Sequence, residues 1–422
     1  MQTGEQSKVR WRLVFLMFIV AAVSFLDRNN ISIAATNIQR QFNLSNVELG
    51  AVFSAFVMGY AFTQPLAGRI ADRFGPYRVV ALGMVWWSAF TAATALVPSG
   101  FAWSLSLLIG VRFVLGVGES VIFPASNRLV SSWIPTAERG LANGIIFAGV
   151  GIGAGTAPPL ITYVMLTFGW QWAFFCSALI GLVVLVIWLL NVRDRPEDHP
   201  RVTASELDYI RQGLTVGTKP LAISWIKIIR NRQVALLTFS YFCYGYTAYI
   251  FFTWFFKYLS TVRGLNLASS AFYGMLPFIA MAICSPLGGW VSDLLTASFG
   301  KRRGRCWTAC VVLVLAAGFV ALATRATDAR VASVLLAGGA GALYLSQSAY
   351  WTLSADIGGS WAGSVSGVMN MGTQIGGVVT ASLTAILADH FGWNASFMVA
   401  GAICFVGALT WLFIDPDQEL ET

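Results

Sequence analysis

Pro65-Leu66-Ala67-Gly68-Arg69-Ile70-Ala71-Asp72 and Pro286-Leu287-Gly288-Gly289-Trp290-Val291-Ser292-Asp293 are two copies of one eight-residue phrase, 221 residues apart. Each copy follows a long apolar block and leads into a short polar stretch. Two further matches keep the same order and nearly the same offset. Gly140, Gly144, Gly149 and Gly153 are echoed by Gly363, Gly367, Gly372 and Gly376, and Phe168-Gly169-Trp170 with Phe174 by Phe391-Gly392-Trp393 with Phe397. One match could be chance in a chain with 41 glycines. Three in register point to a duplicated unit, and packing alone does not account for the paired aspartates.

The unit is a membrane unit. Of 422 residues, 57 % are apolar and only 11 % charged, against about 25 % charged in soluble domains. The apolar residues form blocks of about 18 or more, the length that crosses a bilayer as a helix. This excludes a soluble enzyme, a nucleic-acid binder and a disordered tail. The blocks predict twelve spans at 11–37, 47–67, 79–98, 101–127, 139–165 and 170–191, then 233–259, 268–294, 305–325, 331–355, 361–388 and 393–414. The expected fold is an all-α polytopic membrane protein of two parallel six-helix halves, 1–191 and 233–422, joined by a polar linker over 192–232. Leu207, Ile210 and Leu214 give that linker an amphipathic stretch. Parallel repeats of this kind place a binding site at their interface near the midplane, with rocking of the halves giving alternating access.

Charge orients the spans. With the N-terminus inside, 20 of the 27 lysines and arginines fall on inner segments and 5 on outer ones, while Arg28 and Arg112 lie within spans. By the positive-inside rule both termini face the cytoplasm. The expected location is the plasma membrane, the inner membrane of a bacterium. The net charge of +8 then reads as topology, not as a nucleic-acid partner. The first apolar run lacks a small-residue cleavage site and reads as a retained helix. Lys257, at the outer end of span seven, reads as a snorkelling residue.

The six cysteines lie in apolar runs, where cysteine acts as a small hydrophobe. Cys306 and Cys310 share a helix face, but a metal site needs about four ligands and no other pair accompanies them. No catalytic or phosphate-loop signature is present. Gly149, Gly151, Gly153 and Gly155 sit within apolar helix and read as a close-packing surface. The sequence therefore predicts no metal, no cofactor and no enzyme.

An ionisable group inside a span is costly and marks function by default. Four occur in the first half: Asp27 and Arg28 in span one, Arg112 and Glu119 in span four. Depths counted from the inner ends at about 1.5 Å per residue put Asp27, Arg28 and Arg112 level at roughly 22–24 Å, and Glu119 at roughly 13 Å. An Asp27–Arg112 pair is then open, leaving Arg28 for a ligand. A guanidinium in a low-dielectric cavity holds a carboxylate in a bidentate way and keeps its proton. A carboxyl among glycines and apolar groups has its charged form disfavoured, so Glu119 and Asp27 can carry protons. The arrangement suits proton-coupled transport of an organic anion: Arg28 on the substrate, Glu119 and Asp27 on protons, Arg112 as charge partner of Asp27. The competing reading is a structural ion-pair cluster, which fits Asp27 and Arg112 but leaves Arg28 unexplained.

The second half supplies polar aromatics and amides instead: Tyr241, Tyr244, Tyr246 and Tyr249 in span seven, Gln347, Tyr350 and Trp351 in span ten, Asn370 and Gln374 in span eleven. Some of these line the pocket; the others are packing or interface residues.

Gly68 to Arg78, with Asp72, Arg73, Gly75 and Arg78 among them, resembles the loop signature of the major facilitator superfamily, and Gly289 to Asp293 its degenerate second copy. The resemblance implies a conformational role, latching the cytoplasmic ends of the halves in the outward-open state. Phe25-Leu26-Asp27-Arg28-Asn29, then Arg112, Gly116, Glu119 and Phe123-Pro124, then Thr253-Trp254-Phe255, resemble the anion:cation symporter family. That family includes bacterial galactonate, glucarate and hexuronate permeases and the animal sialin and vesicular glutamate carriers. The similarity covers nearly the whole chain. It implies protonation sites at Asp27 and Glu119 and a pocket containing Arg28, Tyr60, Trp351 and Asn370. Two positions depart from the sugar-acid branch: Phe25 replaces the usual tyrosine, and Val150 stands where a polar amide is expected. Both remove hydrogen-bond partners and favour a less hydroxylated or aromatic carboxylate.

The expectation is a monomeric proton-coupled importer whose partners are a small organic anion, protons and the lipid bilayer. An exchanger or a passive facilitator of the same fold is the alternative. A phosphate-ester exchanger calls for arginines deep in both halves, and span seven has none. A channel calls for a continuous polar stripe, and a receptor leaves Arg28 and Glu119 without a purpose.

Overall fold

The structure, a computed structural model, describes residues 8–214, 225–255, 258–265, 267–418 and 420. Lys257 lies outside these residues. Among them there are helices and no strand. The twelve crossings are Val9–Ile33, Asn46–Phe74, Pro76–Leu96, Ser104–Glu119 continued as Ile122–Trp133, Arg139–Phe168 and Trp170–Asn191, then Arg232–Thr253, Leu267–Phe299, Thr308–Arg325, Ala329–Leu345 continued as Gln347–Gly358, Ala362–Phe391 and Trp393–Thr410. They are called spans one to twelve below. Among the described residues, eleven stretches are long and apolar enough to cross a membrane, and one of these, Ala329–Thr380, covers two crossings joined by the turn Gly359–Trp361. Leu82, Leu166 and Leu190 are among the large apolar side chains left 70 % exposed or more, as a lipid-facing girdle requires.

Helix ends depart from the hydropathy reading where a helix outlasts its apolar stretch. Span two runs seven residues past 67, so Gly68 to Phe74 is helix and not loop; it stops at Gly75, whose φ is 88°. Span eight likewise runs past 294 to Phe299, before Gly300 at φ 82°. A left-handed residue that glycine adopts without strain ends both. Span one stops early at Ile33, and a separate short helix, Ala35–Phe42, follows. Span four breaks at Ser120 and Val121 and continues to Trp133, six residues beyond 127.

Spans one and five pack together, as do seven and eleven, two and eleven, and five and eight. Glycines allow it: a Cβ on Gly149 would meet the Phe18 carbonyl, and one on Gly376 the Phe242 carbonyl. The linker is partly helical. Thr203 caps Ala204–Gly213, whose Ile210 is buried. Buried Glu206 accepts the amides of Val9 (3.1 Å) and Arg10 (3.2 Å), so the linker helix satisfies free N–H groups at the start of span one.

Candidate functional site

A cavity of about 210 Å³ lies between spans one, two, four and five on one side and seven, ten and eleven on the other. Arg28 is the one ionic residue lining it among the described residues. Its guanidinium is jacketed by rings, 4.4 Å from Phe25, 5.0 Å from Phe56 and 4.6 Å from Tyr60. Arg28 Nη2 donates to Glu119 Oε1 at 2.9 Å, and both side chains are largely buried. Arg28 Nε makes no hydrogen bond to the described residues, so the cation keeps donor capacity beyond its carboxylate.

This pairing corrects the depth argument, which left Arg28 without an acid and matched Asp27 to Arg112. Span four extends six residues farther toward the linker end than its apolar block, about 9 Å of helix. That displacement accounts for most of the gap assigned to Glu119, and the long arginine side chain spans the rest. Asp27 instead accepts from Thr91 Oγ1 at 2.6 Å, and no ion pair within 4 Å joins it to Arg112 among the described residues. Arg112 is 2 % exposed and rests 4.9 Å from the Phe56 ring, within electrostatic reach of both carboxylates. Its Nε and Nη1, and Asp27 Oδ1, find no hydrogen-bond partner among the described residues.

Tyr60 and Asn370 line the cavity, as do Phe25 and Val150. Trp351 does not line it. Its ring packs on Phe147 at 5.0 Å and Phe123 at 5.8 Å, and both of those face the space. Its indole N–H donates to the Tyr241 hydroxyl at 2.9 Å, beside Gln347 Nε2 at 2.8 Å, and this bond holds the ring behind the wall. Across the cavity the Tyr249 hydroxyl donates to Gln374 at 2.6 Å. The Tyr244 hydroxyl and Gln347 Oε1 have no hydrogen-bond partner among the described residues. Thus one side offers a guanidinium and the other hydroxyls, amides and ring faces. Tyr344 and Thr373 also line it and drew no attention in the sequence, because single polar residues in apolar helix look like packing residues.

The repeated aspartates form a second feature, at the linker end. Asp72 accepts the amides of Gly363 (3.1 Å) and Ser364 (2.7 Å) and the Ser364 hydroxyl (2.7 Å). Asp293 accepts the amides of Gly140 (3.1 Å) and Leu141 (2.8 Å). Each carboxylate thereby caps the first turn of a span from the other repeat, where free N–H groups and the helix dipole favour an anion. Contact this close needs glycine: a Cβ on Gly68 would strike the Gly363 carbonyl, and one on Gly289 the Gly140 carbonyl. Asp72 also lies 3.7 Å from Arg128.

A buried chain of charges adjoins Asp293. Arg305 sits 3.4 Å from Asp293 and 3.3 Å from Asp356, which Arg139 pairs at 2.6 Å. The sequence reading missed Asp356 because it stands one residue past the predicted end of span ten. Arg73 and Arg78 are exposed and form no ion pair among the described residues; Arg73 lies 5.3 Å from the Phe74 ring. Gly75 abuts Asp194, which accepts the Tyr77 amide at 2.8 Å.

The sequence profile of the Major Facilitator Superfamily matches residues 17–381 and 362–422. The chain belongs to the major facilitator superfamily. As a member, it carries that superfamily's all-helical transporter fold and is not an enzyme. It is 35 % identical over 419 residues to a probable sulfoacetate transporter of Cupriavidus necator, covering 98 % of this chain and 95 % of that one. To a hexuronate transporter of Bacillus subtilis it is 30 % identical over 423 residues, covering 97 % and 96 %. Among solved structures, the proton:xylose symporter XylE bound to 6-bromo-6-deoxy-D-glucose superposes with a TM-score of 0.74 over 97 % of both chains. At 14 % identity this match speaks for the fold of a superfamily member and no further.

Proposed function

We propose that the protein is a proton-coupled symporter that imports a small organic anion by alternating access. The Arg28–Glu119 ion pair on the cavity wall carries this reading. An anion entering the cavity and the Glu119 carboxylate compete for one guanidinium. Protonating Glu119 removes its claim on Arg28 and leaves a buried cation that an incoming carboxylate or sulfonate neutralises. Anion binding and proton binding then favour each other, and by linkage the coupling is reciprocal. Asp27 serves as a second protonation site held by Thr91, and Arg112 as a cation acting on both carboxylates. Arg28, Tyr60 and Asn370 bind substrate, while Trp351 positions Tyr241.

Relatives that carry sulfoacetate or hexuronate by name support an anionic cargo. The rings around Arg28 and the apolar Phe25 and Val150 favour one less hydroxylated than a sugar acid. The same reading divides the chain into halves 1–191 and 233–422 about the linker 192–232, with Gly68, Asp72, Gly75 and Asp293 gating between them. Closed capping contacts at the linker end describe the state open or occluded toward the opposite side. The positive-inside count puts that end, and both termini, in the cytoplasm of a plasma membrane, where the protein acts as a monomer. An exchanger of phosphate esters fits less well, since among the described residues the second half brings no cation to the cavity.

Uptake into proteoliposomes under an inward proton gradient, across a panel of sulfonates, sugar acids, dicarboxylates and aromatic carboxylates, tests this. One acid should accumulate in a gradient-dependent way. Accumulation indifferent to the gradient would favour exchange or facilitated passage.

A further inference from the structure

A groove of about 560 Å³ opens at the linker end of spans one and six, away from the central cavity. Part of its lining is apolar: Trp11 and Leu16, with Phe15 56 % and Ile187 38 % exposed. The lining also includes Lys8, Arg12 and Arg201. Lys8 and Arg12 share a face of span one at i, i+4. Arg201 is brought to them by a fastened hairpin, in which His199 Nε2 lies 3.1 Å from the Asn191 carbonyl and Arg201 Nη1 donates to the Asn191 side chain at 3.4 Å.

The compensation of these charges is uneven. Arg10, on the opposite face of the same turn, is paired with Glu138 at 2.9 Å and Glu206 at 3.2 Å. No ion pair within 4 Å involves Lys8, Arg12 or Arg201 among the described residues, and no carboxylate lines the groove. Among the described residues, three cations without an ion-pair partner thus sit where two spans end, beside exposed apolar side chains that continue along the helices.

We propose that this groove binds the headgroup of an anionic glycerophospholipid, its phosphate diester among Lys8, Arg12 and Arg201 and its upper acyl carbons against Phe15 and Ile187. A soluble anion would satisfy the cations alone; a lipid satisfies the cations with its headgroup and covers the adjoining apolar strip with its chains. Basic clusters beside membrane helices attract anionic headgroups by this electrostatics.

Native mass spectrometry of the full-length protein in detergent, with dioleoyl phosphatidylglycerol or phosphatidylcholine added, tests it. The triple change Lys8→Gln, Arg12→Gln, Arg201→Gln should weaken phosphatidylglycerol retention by about tenfold or more and leave phosphatidylcholine unchanged. Lys8→Arg with Arg12→Lys and Arg201→Lys should retain it. Equal retention by the Gln variant overturns the proposal. So does displacement of the lipid by millimolar inorganic phosphate, which would mark a soluble-phosphate site. Should the triple variant fail to fold, a photocrosslinking residue at Phe15 in membranes gives an independent reading. A phosphatidylglycerol adduct is expected, and its absence overturns the proposal equally.

Discussion

Asp72→Asn isolates the capping contact between the repeats with almost no change of shape. The carboxylate accepts three hydrogen bonds at the start of span eleven, all at 3.1 Å or less. An amide keeps one acceptor oxygen and puts an NH2 group against N–H donors at the other. At least one charge-assisted bond is lost, about 1.5–3 kcal/mol, together with the interaction of a full charge with the helix terminus, about 0.3–1 kcal/mol. The closed arrangement should weaken by about 3 kcal/mol, and the ratio of open to closed linker ends should rise about a hundredfold. Electron–electron distance measurement between spin labels at Arg73→Cys and Arg302→Cys, both exposed, in a background lacking the six native cysteines, reads this ratio. A longer-distance population should grow in Asp72→Asn, grow in Asp293→Asn, and dominate in the double variant. Unchanged distance distributions in all three would refute the capping argument.

Other substitutions probe separate parts of the site. Gly68→Ala puts a methyl group against the Gly363 carbonyl, so it should shift the same distance distribution toward the open end, by the about 1–3 kcal/mol of an overpacked contact; a wild-type distribution would contradict this. Trp351→Phe keeps a ring but removes the donor to Tyr241; losing about 1 kcal/mol of hydrogen bonding should raise KM about fivefold with little effect on protein yield. Phe25→Tyr adds a hydroxyl beside Arg28, and the uptake ratio of hydroxylated to aromatic acids should rise; an unaltered ratio would remove Phe25 from specificity. Asp356→Ala leaves Arg139 without its acid and Arg305 with Asp293 alone, costing about 3–5 kcal/mol, which a lowered midpoint of denaturant unfolding should register.

The spans, the repeat and the in-membrane charges were readable in the sequence because each follows from a local rule: apolar length, a fixed offset, a charge where lipid forbids one. What hydropathy does not record is where a helix ends. Gly68 to Phe74 looks polar and is helical, since the backbone ladder continues until Gly75 adopts a positive φ. The same limit misplaced Glu119, because span four runs on to Trp133 through a break at Ser120, and depth counted from residue 127 set the acid too far from Arg28. The partners of the paired aspartates were likewise out of reach. Periodicity showed that Asp72 and Asp293 correspond, but only the folded chain shows that each caps the other repeat. Trp351 illustrates a further gap, since a residue type suited to a pocket can stand one layer behind it.

One paired measurement tests the coupling of anion to proton through Arg28 and Glu119. Reconstituted wild type, Glu119→Gln and Arg28→Ala are compared for gradient-driven accumulation and for gradient-free counterflow of the same acid. Glu119→Gln should keep counterflow and lose accumulation, since Arg28 is freed but the proton carrier is gone, and Arg28→Ala should lose both. Accumulation by Glu119→Gln at the wild-type level would contradict it.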